Sequence, residues 1–142
     1  MASLPLHYVD LRAFCYATED DQRVETALRT FLPEDVEIDR ATSRGHHGDR
    51  ILVLSARVER ADEMRHVLDV VADCDGIETV VDELDDRVDE NCAFYLRFDK
   101  QAAYRGEPRL GDSITFRSKI EAYPAKREHA VENARELFES LR

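Results

Sequence analysis

Two kinds of apolar periodicity alternate along the chain, and their order constrains the fold more than any other feature. In residues 6–17, apolar and polar side chains alternate one by one, which is typical of a β-strand with one buried face. Elsewhere, apolar residues recur three and four positions apart, the spacing of a helix that buries one stripe. The predicted strands are 6–17, 36–42, 51–58, 92–98 and 114–122, and the predicted helices are 19–32, 64–71, 77–88, 101–104 and 124–141.

The order of these segments is β-α-β-β-α-α-β-β-α when the short helical turn at 101–104 is left aside. It predicts an α+β fold: a two-layer sandwich in which one mainly antiparallel sheet carries its helices on one face. Residues 43–49 contain glycines and an aspartate and predict the loop of a hairpin. We expect residues 1–142 to form one domain, because this length supports one core and no repeat or linker interrupts it. With all helices on one side, the other face of the sheet would be open.

Helix ends are predicted from the residues that commonly begin or end a helix. We expect Thr18 to cap the first helix, because its hydroxyl can accept a hydrogen bond from a free backbone N–H. Pro124 is expected to open the last helix, since proline is favoured at the first helical position. The apolar stripe after Gly76 predicts one continuous helix over residues 77–88.

The charge composition is strongly acidic and poor in lysine. The formal net charge is −11, from 31 acidic and 20 basic residues, and only three of the basic residues are lysines, namely Lys100, Lys119 and Lys126. Acidic excess destabilises a compact chain by self-repulsion, but in molar salt the Debye length falls to about 3 Å and screens that repulsion. The composition therefore predicts a protein of a halophilic, salt-rich cytoplasm; the alternative is an ordinary acidic protein.

Neither a membrane span nor a disulfide framework is expected. No apolar run approaches the roughly 18–20 residues that cross a bilayer, and residues 1–6 lack the basic and apolar parts of a secretory signal. We therefore expect a cytoplasmic protein. Cys15, Cys74 and Cys92 are odd in number and widely spaced, which disfavours a disulfide scaffold or zinc knuckle and favours a role as small apolar side chains.

The polar phase of three predicted strands places aromatic and basic residues on the open face of the sheet. Such a face suits RNA, because rings stack on splayed bases while Arg and Lys contact phosphates. The alternative is a solvated face on which the cations pair with Asp10, Asp99 and Glu121. The outward positions are Tyr8, Asp10, Arg12 and Phe14 in the first strand, Ala93, Tyr95 and Arg97 in the fourth, and Thr115, Arg117 and Lys119 in the last.

Two local patterns raise the question of metal binding or catalysis. His46 and His47 are adjacent in a Gly-flanked loop, which favours a polar turn over a metal site, because metal ligands must converge from separate segments. Further ligands there would be Asp49 or His7. Asp99, next to a lysine, could act as a general acid–base, although neighbouring opposite charges commonly form an ion pair. No phosphate-binding loop, zinc signature or hydrolase triad is recognisable, and we expect no catalytic residue, metal or cofactor.

Four stretches of the sequence carry a family resemblance. They are HYVDLRAFCYATED at 7–20, GHHGD at 45–49, YLRFDKQAAYRGE at 95–107 and SITFRSKIEAYPAKRE at 113–128. Together they resemble an archaeal family described as RNA-binding proteins or predicted exosome subunits. The resemblance extends from Leu6 to Leu141, and YLRFDKQAAY is its most specific part. It implies a two-layer α/β fold similar to that of the large-subunit ribosomal protein that binds 5S RNA, and the acidic composition points to a haloarchaeal member.

By this resemblance the chain is a non-catalytic RNA-binding protein linked to RNA processing or decay. Its partners would be RNA together with exosome or ribosome-biogenesis proteins. A net charge of −11 runs against the basic surface of most RNA binders, and salt adaptation would account for it. The implied RNA contacts are Arg97, Lys100, Gln101, Tyr104, Arg117 and Lys119, with Arg12, His46 and His47 as further candidates.

Two other functions stay open at this point. The chain could be a protein-interaction or homodimerising subunit of an archaeal complex that docks through its acidic helices or an open strand edge. It could also be a hydrolase that uses Asp99 with a metal at the histidines. We place RNA binding first, because the outward strand residues and the resemblance both favour it.

Overall fold

The computed structural model describes residues 4–45 and 48–141 of the chain. Its strands are β1 (Leu6–Tyr16), β2 (Asp39–Arg44), β3 (Arg50–Val58), β4 (Ala93–Phe98) and β5 (Ile114–Ile120). Its helices are α1 (Asp21–Arg29), α2 (Ala61–Ala72), α3 (Ile77–Asp82), α4 (Leu84–Arg87), α5 (Lys100–Tyr104) and α6 (Arg127–Ser140). The elements follow the predicted order, with one predicted helix divided into two.

The five strands form one antiparallel sheet in the order β2-β3-β1-β5-β4. β1 is central and pairs with β3 on one side and β5 on the other, so that Leu11 lies between Ala56 and Phe116. β2 and β3 form the predicted hairpin, whereas β1 and β5 join opposite ends of the sequence. This arrangement confirms the predicted α+β fold with one antiparallel sheet.

The helices cover one face of the sheet, and alternate strand residues on that covered face are buried. In β1, Val9, Leu11 and Ala13 are buried, while the residues between them are half-buried or exposed. Burial of each large apolar side chain contributes about 1.5–3 kcal/mol, so this face supplies most of the stability. The helices contribute Val24, Ala27 and Leu28 from α1, Met64, Val67, Leu68 and Val71 from α2, and Ala130, Val131, Ala134, Leu137 and Phe138 from α6.

The predicted cap of the first helix was wrong. Asp20 caps α1, because its Oδ1 accepts a hydrogen bond from the Gln22 N–H at 2.9 Å. Thr18 lies instead in a turn in which the Glu19 N–H donates to the Tyr16 carbonyl at 2.9 Å. The Asp20 carboxylate, two residues before the N–H that it accepts from, therefore caps the helix in place of the Thr18 hydroxyl.

Two further helix boundaries differ from the prediction. The last helix begins at Arg127 rather than at Pro124, because Lys126 still has extended backbone angles. Residues 77–88 form the two short helices α3 and α4, with Glu83 outside the helical region between them at φ −105° and ψ 14°. Leu84, the first residue of α4 after the break, is fully buried. In the part of the chain that the structure describes, no helix has the length and apolar character needed to cross a bilayer.

Candidate nucleic-acid interface

Rows of directly opposed residues cross the open face of the sheet. In an antiparallel sheet, opposed residues point to the same face, neighbouring strands lie about 4.8 Å apart, and successive rows on one face lie about 6.7 Å apart. A large ligand can therefore contact several rows at once. The rows are Ala93–Lys119–Tyr8, Tyr95–Arg117–Asp10–Arg57, Arg97–Thr115–Arg12–Ser55–Asp39, Phe14–Val53–Ala41 and Tyr16–Ile51–Ser43.

The first three rows carry four of the predicted contact residues, Arg12, Arg97, Arg117 and Lys119, which we call the cationic half of the face. The three arginines are exposed and Lys119 is half-buried. Within the described residues, none of these four side chains forms an ion pair or a side-chain hydrogen bond; the Arg117 guanidinium lies 5.9 Å from the centre of the Tyr95 ring. The structure thus brings together four cations whose charges have no carboxylate partner among the described residues.

Arg57 neutralises Asp10, the carboxylate that lies directly opposite Arg117. Its Nε and Nη2 donate to Asp10 Oδ1 and Oδ2 at 2.7 and 2.8 Å, and its guanidinium lies 4.0 Å from the centre of the Tyr8 ring. The hydrogen bond with Asp10 raises the pKa of Arg57. Because the charge of Asp10 is compensated in this way, it offsets little of the positive field of the cationic half.

The last two rows form the aromatic half of the face, defined by Phe14, Tyr16, Ile51, Val53 and Ala41. The ring of Phe14 is 39% exposed and that of Tyr16 is 51% exposed, although both lie on a strand in the middle of the sheet. Ile51 and Val53 are half-buried beside them. The open face therefore has a charged part and an apolar part that meet between Arg12 and Phe14.

Three other predicted contact residues lie away from this face, in a cleft of about 320 Å³ between the β1–α1 turn and α5. Lys100 is largely buried there: its Nζ donates to Glu19 Oε1 at 2.8 Å and to the Phe14 carbonyl at 2.9 Å, with only 12% of the side chain exposed. Gln101 and Tyr104 are exposed, and the Tyr104 ring lies 5.5 Å from the guanidinium of Arg23. Lys100 thus holds the C-terminal end of β1 through its hydrogen bond to the Phe14 carbonyl.

The histidine and aspartate candidates give no assembled metal or catalytic site among the described residues. His46 and His47 lie outside the described residues, and His7 Nδ1 is 3.9 Å from Glu121 Oε1. Over residues 4–45 and 48–141, no three His, Cys, Asp or Glu side chains are grouped closely enough to hold a metal ion.

Asp99 has a structural role as the cap of α5. Its Oδ1 accepts a hydrogen bond from the Gln101 N–H at 3.0 Å, and its Oδ2 accepts one from Arg109 at 3.3 Å. Gly111 packs directly against it, since a Cβ at that position would lie 2.7 Å from the Asp99 backbone. Both carboxylate oxygens are occupied by internal partners, which leaves the acid–base hypothesis without geometric support.

Cys15, Cys74 and Cys92 are buried free thiols. Burial raises the pKa of Cys74 to about 12. Burial, with the nearby carboxylates of Glu19 and Asp21, also raises the pKa of Cys15. Both thiols are therefore protonated at neutral pH, where a nucleophilic cysteine would need a lowered pKa.

Comparisons with known proteins show the family of the chain. The family model described as RNA binding matches residues 8–120 of the chain. RNA-binding protein PAB1135 of Pyrococcus abyssi is 35% identical over an alignment 147 residues long, which covers 96% of each chain.

Two solved structures are similar to this chain along nearly their whole lengths. Protein AF2318 from Archaeoglobus fulgidus has a TM-score of 0.83 and 32% identity, and the match covers 93% of this chain and 99% of that one. Mth689, a DUF54 protein from Methanothermobacter thermautotrophicus, has a TM-score of 0.77 and 40% identity, with 94% and 98% covered.

The description of the matching family names RNA binding and no catalytic activity. The family model covers most of the chain, and an archaeal relative with the same description shares 35% of its residues over 96% of the length. The chain therefore belongs to this archaeal family of RNA-binding proteins, to which the DUF54 structures are similar in fold and sequence.

Proposed function

We propose that this chain binds RNA without cleaving it, and that the cationic half of the open face holds the RNA phosphates. One observation carries the proposal: in a chain of net charge −11, four cations occupy adjacent rows of one exposed face without a carboxylate partner among the described residues. RNA backbones present regularly spaced anionic oxygens, which Arg and Lys bind through charge-assisted hydrogen bonds.

Some cations elsewhere on the surface are engaged in ion pairs, and others, such as Arg65 and Arg135, have none among the described residues; what sets the four apart is that they lie together on one face. Arg40 donates to Asp21 at 2.8 Å and lies 3.2 Å from Glu25, and its hydrogen bond lowers the pKa of Asp21. Cations that face each other without carboxylates repel, and a bound polyanion would relieve that repulsion.

The cleft next to α5 is proposed as a second contact region. Gln101 offers an amide and Tyr104 an exposed ring at its mouth, whereas Lys100 holds the wall of the cleft in place. His46 and His47 stay a prediction, since they lie outside the described residues.

We further propose that binding serves RNA processing or decay, in association with exosome or ribosome-biogenesis proteins, in a haloarchaeal cytoplasm. The resemblance to predicted exosome subunits supports the first part. The excess of carboxylates and the shortage of lysine support the second, because molar salt screens the self-repulsion of such a chain.

The test is the affinity for an end-labelled RNA with a hairpin and a single-stranded tail, measured by fluorescence anisotropy from about 0.1 M to about 2 M potassium chloride. Counterion release makes each phosphate contact contribute about fivefold more affinity at 0.1 M than at 1 M salt. Loss of all four contacts should therefore weaken binding at 0.1 M salt by several hundred-fold, roughly. The difference should shrink as salt rises. The substitutions are Arg12→Gln, Arg97→Gln, Arg117→Gln and Lys119→Gln, combined in one variant.

A matched control changes the same number of charges on the helical side of the molecule. If the open face is the site, this control should lose far less affinity than the open-face variant, because it adds only a long-range repulsion that salt screens. Equal affinities for the parent and the open-face variant would contradict the proposal and favour the protein-interaction alternative. The control substitutions are Arg60→Gln, Arg65→Gln, Lys126→Gln and Arg135→Gln.

A further inference from the structure

We infer that the RNA bound by this chain is unpaired, and that its bases stack on Phe14 and Tyr16 in the aromatic half of the open face. The inference rests on the proposed function and adds the class of RNA and the second half of the site. It follows from the exposure of two rings near the end of the central strand, beyond its pairing with β5, and from their distance to the cations.

Exposure of the two rings calls for a ligand with an apolar surface. Phe14 and Tyr16 lie on the central strand, 39% and 51% exposed, with half-buried Val53 and Ile51 opposite them. Against the faces of these rings, phosphate and ribose oxygens would lose water without gaining a hydrogen bond, and only the Tyr16 hydroxyl could donate one. The flat faces of bases fit them, and stacking on aromatic side chains is the usual way in which proteins hold single strands.

A paired RNA helix could not use this half of the face. Its bases are stacked on one another, and its outer surface offers phosphates, ribose hydroxyls and base edges. Bases of a single strand can turn out and lie flat on a ring. The aromatic half therefore distinguishes unpaired from paired RNA, whereas the cationic half alone would bind both.

The spacing of the rows allows one strand of RNA to contact both halves. Arg12 and Phe14 are two residues apart on β1, which separates them by about 6.7 Å on the same face. Arg97 and Arg12 flank Thr115 in one row. A phosphate near this row leaves its attached base within reach of the Phe14 ring.

The aromatic half is held in place before any ligand arrives. Lys100 Nζ donates to the carbonyl of Phe14 and lies 5.4 Å from the centre of the Tyr16 ring. The Tyr16 N–H donates to Glu19 Oε1 at 3.1 Å, and Glu19 also accepts from Lys100. A backbone already held in position beneath the rings loses little conformational freedom on binding, which favours affinity.

The absence of tryptophan from the whole chain allows a direct spectroscopic test. Three variants separate the effect of the aromatic ring from that of its bulk. Phe14→Trp keeps a stacking surface and adds the only tryptophan of the chain. Phe14→Leu keeps the apolar bulk without the ring, and Phe14→Ala removes both. Tyr123→Leu is the control, since Tyr123 is 99% exposed in the β5–α6 connection. Circular dichroism and thermal melts identify any variant that fails to fold.

The probes are a single-stranded RNA of about one dozen nucleotides and the same RNA annealed to its complement. The parent should bind the single strand more tightly. Phe14→Leu and Phe14→Ala should weaken that binding by between about fivefold and about 150-fold, at about 2 M as well as about 0.1 M potassium chloride, because stacking is not screened by salt. Phe14→Trp should keep the affinity, and the RNA should quench its fluorescence.

Each other outcome is informative. If the duplex binds as tightly as the single strand, or if Phe14→Leu leaves the affinity unchanged while the cationic variant lowers it, base stacking is overturned and the proposed function stands. If Phe14→Leu instead dissociates a dimer in sedimentation without changing RNA affinity, the aromatic half is a contact between copies, and the inference fails. If the parent binds neither probe, the inference and the proposed function fail together.

Discussion

Phe116 and Arg117 are neighbours in β5 and point to opposite faces of the same sheet. Phe116 is fully buried, edge-on to Phe94 and Phe98 with ring centres 6.0 and 6.4 Å apart. Arg117 is exposed beside Tyr95, without an ion pair among the described residues. Residues on the covered face, such as Phe116, are buried and packed in the core. Residues on the open face, such as Arg117, are exposed and are not needed for packing. Substitutions one position apart should therefore separate stability from recognition.

The largest expected effect belongs to the covered face. Phe116→Ala should lower the free energy of unfolding by about 3–5 kcal/mol, because it removes a fully buried ring and leaves a cavity against Phe94. The neighbouring Arg117→Ala should change it by no more than about 0.5 kcal/mol, as is usual for exposed positions. Denaturant unfolding followed by circular dichroism measures both.

For RNA binding the order of the two variants is reversed, so that Arg117→Ala has the larger effect. Under conditions where Phe116→Ala is folded, its RNA affinity should match that of the parent, and that of Arg117→Ala should fall about fivefold at 0.1 M salt. A loss of affinity in folded Phe116→Ala would show that the two faces are not separable.

Lys100 and Lys119 were both predicted as RNA contacts, and a smaller effect, on stability, distinguishes them. Lys100 is 12% exposed and bonded to Glu19 and to the Phe14 carbonyl, whereas Lys119 has no side-chain partner among the described residues. Lys100→Met should cost about 1.5–3 kcal/mol of stability, the usual contribution of hydrogen bonds to a charged group. Lys119→Met should cost under about 0.5 kcal/mol and should lower RNA affinity.

A double-mutant cycle with Glu19→Gln assigns the cost to the ion pair. Lys100→Met should destabilise the Glu19→Gln chain less than it destabilises the parent, because the partner carboxylate is already gone. Equal costs in the two backgrounds would show that Lys100 acts through the Phe14 carbonyl alone. Unfolding free energies of the four chains settle the comparison.

Periodicity predicted the strands, their inward and outward residues and the α+β class. A strand with one buried face has an apolar residue at every second position, and this pattern is visible in the sequence. The outward positions of β1 and β5 were predicted, as were Tyr95 and Arg97 of β4, whereas Ala93 is buried. The register aligned Arg97, Thr115 and Arg12 in one row. Helix ends were predicted less well, since Thr18 and Asp20 are both good caps and only the turn before α1 selects one.

The parts of the site that escaped prediction depend on contacts between distant segments. Arg57 was overlooked, although the alternation in RILVLSARV at 50–58 places it outward; its pairing with Asp10 spans 47 residues of sequence. Lys100 shows the reverse case. Its sequence neighbourhood suggests exposure, but Glu19, 81 residues away, holds it inside a cleft. Register between strands and long-range ion pairs leave no period in the sequence.

The smallest expected effect tests whether the two faces communicate. Ser118 is fully buried on the covered face, and its hydroxyl donates to the Tyr8 carbonyl at 2.8 Å. Ser118→Ala should cost about 0.5–1.5 kcal/mol, the usual contribution of one hydrogen bond. Tyr8 lies on the open face under the guanidinium of Arg57, so a shift of its backbone would disturb the partner of Asp10. We expect an unchanged RNA affinity, measured by anisotropy beside the unfolding experiment, because Tyr8 still pairs with Lys119, and Val9 next to it pairs with Ser118 and Val58. An affinity that falls with Ser118→Ala would show that recognition on the open face depends on packing beneath it.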